Sequence, residues 1–137
     1  MAANTAPIFL RTPSIQWVST GTAANTNLDG TGTVATVFTA DATNGSKIEK
    51  VVLEHLGTNI ATLVRLFVNN GSSNTTAANN SLVYEQVVAA NTVSQTSAST
   101  RLEIALNLAL PAGYKLNCTI GTAIATGIQV SAIGGHY

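Results

Sequence analysis

Acid–base, metal or nucleophilic chemistry in this chain would have to come from two histidines, six carboxylates and one cysteine. His55 and His136 are far apart in sequence. Neither sits in an HxH or HExxH spacing, which would aim two imidazoles at one metal ion. Each is expected to be a structural or exposed histidine. Asp29 and Asp41 stand in turn-forming stretches, Asp29-Gly30 and Asp41–Gly45, where a short carboxylate accepts backbone N–H groups. Glu49, Glu54, Glu85 and Glu103 lie among apolar neighbours on strand-like segments and are expected on a solvated or interface face. Two of them meeting across a cleft would be a glycosidase arrangement, but nothing in their spacing singles out a pair. With Cys118 alone, no intrachain disulfide can form. Its place beside Leu116 and Ile120 predicts a small buried hydrophobe and no reactive thiol. No GxSxG, P-loop or dinucleotide fingerprint occurs, and Gly30-Thr31-Gly32 lacks the helix and lysine of a phosphate cradle. Asn70-Gly71-Ser72 and Asn74-Thr75-Thr76 match a glycosylation sequon, as chance alone provides in a chain so rich in Asn, Ser and Thr. The sequence therefore predicts no catalytic residue, no metal site, no cofactor and no enzyme.

The elements that would carry these residues are strands. Ser46–Gly71 organises the rest. Lys47–Leu56 matches helical spacing at Ile48, Val51, Val52 and His55, but its β-branched residues and the following Gly57-Thr58-Asn59 favour a strand. In that strand Ile48, Val52 and Leu56 share one side, and Val51, Leu53 and His55 the other. Leu63–Val68 is a short apolar run suited to a strand buried on both faces. The two read as an antiparallel pair in mid-sheet. Ile15–Ser19 is strand-like, with Ile15 and Trp17 on one face. Thr33–Ala40, the turn Asp41–Gly45 and the strand after it read as a hairpin. Residues 71–80 are a polar, exposed, mobile loop. Ser81–Val88 is a further strand. Arg101–Leu108 alternates strictly, which places Leu102, Ile104, Leu106 and Leu108 on one core-facing side. Tyr114–Ile120 aligns Tyr114, Leu116, Cys118 and Ile120, and Gly127–Ile133 aligns Ile128 and Val130.

About eight short strands with turn signals between them predict an all-β fold, an antiparallel β-sandwich over residues 15–137. A jelly roll is the expected topology, with other Greek-key sandwiches open as alternatives. Residues 1–14 read as an extended arm, because Pro7 and Pro13 bracket Ile8-Phe9-Leu10-Arg11-Thr12 and disfavour a helix. Three apolar side chains together in a tail predict docking, so Pro7, Ile8, Phe9, Leu10 and Arg11 are candidate protein-interface residues.

Composition points the same way. The chain has 137 residues, enough for one domain, and only 9% are charged, against about 25% in ordinary soluble domains. Net charge is zero, which argues against a nucleic-acid surface, since phosphate binding needs clustered Lys and Arg. No apolar run approaches the roughly 20 residues of a membrane span. The apolar part of MAANTAPIFLRTPS is only Ile8-Phe9-Leu10, so no secretory leader is expected. A neutral, charge-poor surface has little electrostatic protection against association. A subunit covered by its neighbours is predicted.

Residues 25–40 (NTNLDGTGTVATVFTA), 45–51 (GSKIEKV) and 64–71 (VRLFVNNG), followed by 110–116 (LPAGYKL) and 127–130 (GIQV), resemble a group of small virion proteins of tailed bacteriophages. The likeness runs over most of residues 15–133 and rests on turns and strands. It implies a head decoration or cement protein that binds the outside of a capsid and stabilises the shell. It further implies assembly as a homotrimer, a major capsid protein as partner, location on the virion exterior after synthesis in the host cytoplasm, and no catalytic residues to carry over. A carbohydrate- or receptor-binding β-sandwich module of a phage tail is the alternative. Sugar sites want exposed aromatic platforms, and here only Trp17, three tyrosines and three phenylalanines are on offer.

Overall fold

The computed structural model describes residues 9–137. They form nine strands: β1 (Thr12–Ser19), β2 (Ala35–Thr39), β3 (Ser46–His55), β4 (Thr62–Asn69), β5 (Asn80–Val88), β6 (Leu102–Ile104), β7 (Leu108–Leu110), β8 (Lys115–Ile120) and β9 (Ile128–His136). One 3-10 turn, Ala77–Asn79, is the single helical element among the described residues. All pairing is antiparallel, in two sheets. One has the order β1-β9-β3-β6, with β7 also on β3; the other has the order β2-β8-β4-β5. This is the expected antiparallel β-sandwich. Its core lies between the sheets. Ile48, Val51, Leu53, Ile104, Leu110, Ile128 and Val130 from the first meet Phe38, Val64, Leu66, Leu116, Cys118 and Ile120 from the second.

Two expected pairings are overturned. β3 and β4 are not partners, and neither are β2 and β3: in each case the chain crosses from one sheet to the other. Gly57-Thr58-Asn59 and Asp41–Gly45 do turn the chain, but a turn signal does not say whether the next strand pairs beside the last or faces it. β1 also begins at Thr12, so Thr12–Ser14 belong to the sheet and not to the arm. They pair with Gly134–His136 at the end of β9.

The mixed faces of β3 come from a bulge. Ile48 is opposite Gly134 and Lys50 is opposite Ile133, so Glu49 is an extra residue. A strict period of two through Ile48 would turn Lys50, Val52 and Glu54 into the core. The bulge shifts the phase, and Ile48, Val51 and Leu53 all point inward. The same jog interrupts the neighbouring edge. Arg101–Leu108 is not one strand: β6 and β7 pair β3 on either side of the bulge, and Asn107 between them takes a left-handed φ of 45°. Asn tolerates that conformation better than most residues. Its N–H donates to Glu49 O at 3.0 Å. Ile104 is buried, whereas Leu102, Leu106 and Leu108 are only half-buried against the core.

Loop 71–80 is exposed, as expected, and carries a set of side-chain hydrogen bonds. Asn80 Nδ2 donates to Asn74 O (3.0 Å), Asn79 Nδ2 to Ser73 O (2.8 Å) and Asn74 Nδ2 to Gly32 O (2.8 Å). A low-complexity asparagine sequence is here a set of donors aimed at turn carbonyls. The last bond ties the loop to the 20–34 connection. Gly30 of that connection lies on Phe67, fully buried on the outer side of β4. A Cβ at Gly30 would stand 2.6 Å from Asn80 Cβ and 3.1 Å from Phe67 Cδ1. At the opposite margin Gln16 of β1 joins the two sheets. Its Nε2 donates to Thr39 O at 3.1 Å and its Oε1 accepts from Thr39 N at 2.9 Å.

Candidate functional site

The residues able to do chemistry are placed in structural roles. His136 Nδ1 lies 2.6 Å from Ser46 Oγ, and its ring tilts against Phe38 with centroids 5.9 Å apart. Asp41 is close by, but its carboxylate accepts from Asn44 N (2.7 Å) and Thr43 N (2.9 Å), while Ser46 Oγ accepts from Asp41 N (2.9 Å). Ser46 is fully buried. A serine hydroxyl out of reach of any substrate cannot act as a nucleophile, so the three residues close a turn. The two backbone donors hold Asp41 below the ordinary aspartate range, the Asn44 bond contributing most. Asp29 is lowered likewise by the side chain and then the backbone of Thr31. His55 Nε2 lies 3.1 Å from Ala89 O, and its Nδ1 lies 3.3 Å from Asn59 Nδ2. Burial pushes the Cys118 thiol up to about 12. No three His, Cys, Asp or Glu residues among those described gather as metal ligands.

Of the expected interface residues, Pro7 and Ile8 lie outside the described residues. Phe9 is exposed. Leu10 packs over Gly135, where a Cβ would come within 3.3 Å of it, and Arg11 N donates to His136 O at 2.8 Å. The end of the arm therefore lies along its own sheet.

Two surfaces stand out that the sequence did not single out. The first is the outer face of the β1-β9-β3-β6 sheet. Register places Trp17, Ser131, Val52 and Glu103 in one cross-strand row, with Ile15, Ile133 and Lys50 on one side of it and Ser19, Gln129 and Glu54 on the other. Trp17 is 63% exposed and Ile15 58%, while Val52 is 6%. A groove of about 320 Å³ runs over Val52 and Ser131 between Ile15 and Arg101. Its far wall is a chain of ion pairs: Glu103 accepts from Arg101 Nη1 at 2.8 Å and from Lys50 Nζ at 3.2 Å, and Arg101 Nε lies 3.6 Å from Glu54. Two carboxylates thus meet, but they share one guanidinium and stand about half exposed.

The second surface is at the end of the sandwich away from the arm. An isolated bridge joins Asn59 to Asn91, and Val93 N donates to Thr58 Oγ1 at 3.0 Å. Leu56, Ile60 and Val93 flank these contacts, each more than half exposed. Comparison with protein-family models, with curated proteins and with solved structures found no match.

Proposed function

We propose that this chain is a structural virion subunit. It binds the outside of a bacteriophage capsid and stabilises the shell, with the major capsid protein and further copies of itself, as a trimer, for partners. It needs no cofactor and does not act on nucleic acid or membrane. The observation that carries the reading is the exposure of Leu56, Ile60 and Val93 around the Asn59–Asn91 bridge, at one end of a neutral sandwich with 9% charged residues. Large apolar residues exposed so near one another suit a surface that a partner covers. The fold supports the same reading. With β6 and β7 counted as one interrupted strand, the order β1-β9-β3-β6 over β2-β8-β4-β5 supports reading the sandwich as a jelly roll, an architecture used in viral capsid domains.

The test is co-sedimentation with purified shells. Ile60→Asp, or removal of residues 1–9, is expected to weaken binding about tenfold or more, equivalent to roughly 1.4 kcal/mol, in a protein that stays folded. Unchanged sedimentation of both variants, or no binding of the wild type, would sink the proposal.

A further inference from the structure

We propose that the groove beside Trp17 binds a neutral glycan segment, with the indole as stacking platform and Gln129, Ser131, Glu54 and Arg101 as partners for its hydroxyls. The inference goes beyond shell binding, which draws on the apolar end and the arm. A sugar ring has a C–H face and a rim of hydroxyls. It is held by a flat apolar surface bordered by fixed donors and acceptors, and this face supplies both. Trp17 is exposed, yet its strand is paired with β9 along its whole length. A rigid indole gives a large contact area at little entropic cost. Trp17 lies opposite Ser131, one of the groove's lining residues, so the indole borders the groove that Val52, Gln129 and Glu54 also line. Its floor is Val52 and Ser131. Gln129 offers both a donor and an acceptor.

The far wall decides the class of ligand. Glu54, Arg101, Glu103 and Lys50 are already paired with one another and still about half exposed, so each keeps donor or acceptor sites open to a ligand. Their charges sum to zero, leaving no field to select a phosphate, sulfate or carboxylate. A protein covering this face would strip water from all four charges, at a desolvation penalty that ion pairing often fails to repay. A sugar leaves the outer side of the wall wet.

Trp17 is the only tryptophan, so its emission reads the site without a label. The full chain would be titrated with maltohexaose, cellohexaose, mannohexaose and chitohexaose. At least one is expected to change the emission saturably, with a Kd of about 1 mM. Arg101→Ala should weaken that response about tenfold at an unchanged melting temperature, and sialyllactose should give none. Silence with all four sugars, or a response indifferent to Arg101→Ala, overturns the assignment. So does an indole that the free protein already shields from acrylamide, since another copy then covers it. Shell co-sedimentation of Trp17→Ala is read separately and bears only on the shell-binding proposal.

Discussion

Thr119 Oγ1 is a buried side-chain oxygen without a hydrogen-bond partner, the one such atom among the described residues. A hydroxyl removed from water with nothing in exchange loses stability, and replacing it by a methyl group of the same shape restores it. Thr119→Val is therefore expected to raise stability by about 1 kcal/mol, read as a higher denaturant midpoint at unchanged slope. A lower midpoint would show that a bound water satisfies the oxygen. Asp41 sets a pH dependence of known sign. Its folded pKa lies below the ordinary 3.8, so its contribution is present above that pH and is lost as pH falls through the lower folded value. Asp41→Ala should flatten this part of the acid-unfolding curve. An NMR titration that put Asp41 at or above 3.8 would contradict the account.

At the scale of elements, the Glu49 bulge does more than any single contact. It rotates β3 by half a period and forces the break between β6 and β7. It also brings β9 so close that a methyl on Gly134 would run into the Lys47 carbonyl. Deleting Glu49 would put Ile48, Val51 and Leu53 in one regular period of two, still facing the core, with Lys50, Val52 and Glu54 outward. The variant is therefore expected to stay folded by circular dichroism, losing about 1 kcal/mol with the Asn107 N–H bond to the Glu49 carbonyl. An unfolded deletion variant would show that the bulge does more than set the phase of the strand. This is also where the sequence was hardest to read. Strict alternation located Tyr114–Ile120 and Ile128–Val130 correctly, because those strands carry no bulge on the core side. Ile48, Val51 and Leu53 break period two, and only the partner strand reveals why. Ile15 and Trp17 were legible as one face of a strand. That this face points to solvent was not, since a buried and an exposed apolar face look alike in one sequence. Glu54 and Gln129 come from two strands and Arg101 from the residue just before β6, and their meeting depends on a strand order that no local signal encodes.

At the scale of the whole molecule, the scarcity of charge is the governing property. Apolar residues are exposed at both ends, at Phe9 and at Leu56, Ile60 and Val93, and there is no net charge to keep copies apart. Native mass spectrometry at micromolar concentration is expected to find an oligomer, most simply a closed trimer. Because few charges take part, its mass should not change between low and high salt. A monomer both in solution and on shells would remove this expectation.

Gln16 bears on what happens when the protein is crowded. Sheet proteins are prone to grow lengthwise into fibres when a bare margin recruits another chain. At Thr39 the peptide donor and acceptor are both taken by the Gln16 amide, a side chain that imitates one residue of a neighbouring strand. An incoming chain would have to evict it before it could begin to pair. The fastener that holds the two layers together also leaves a nascent fibre no free rung at that point.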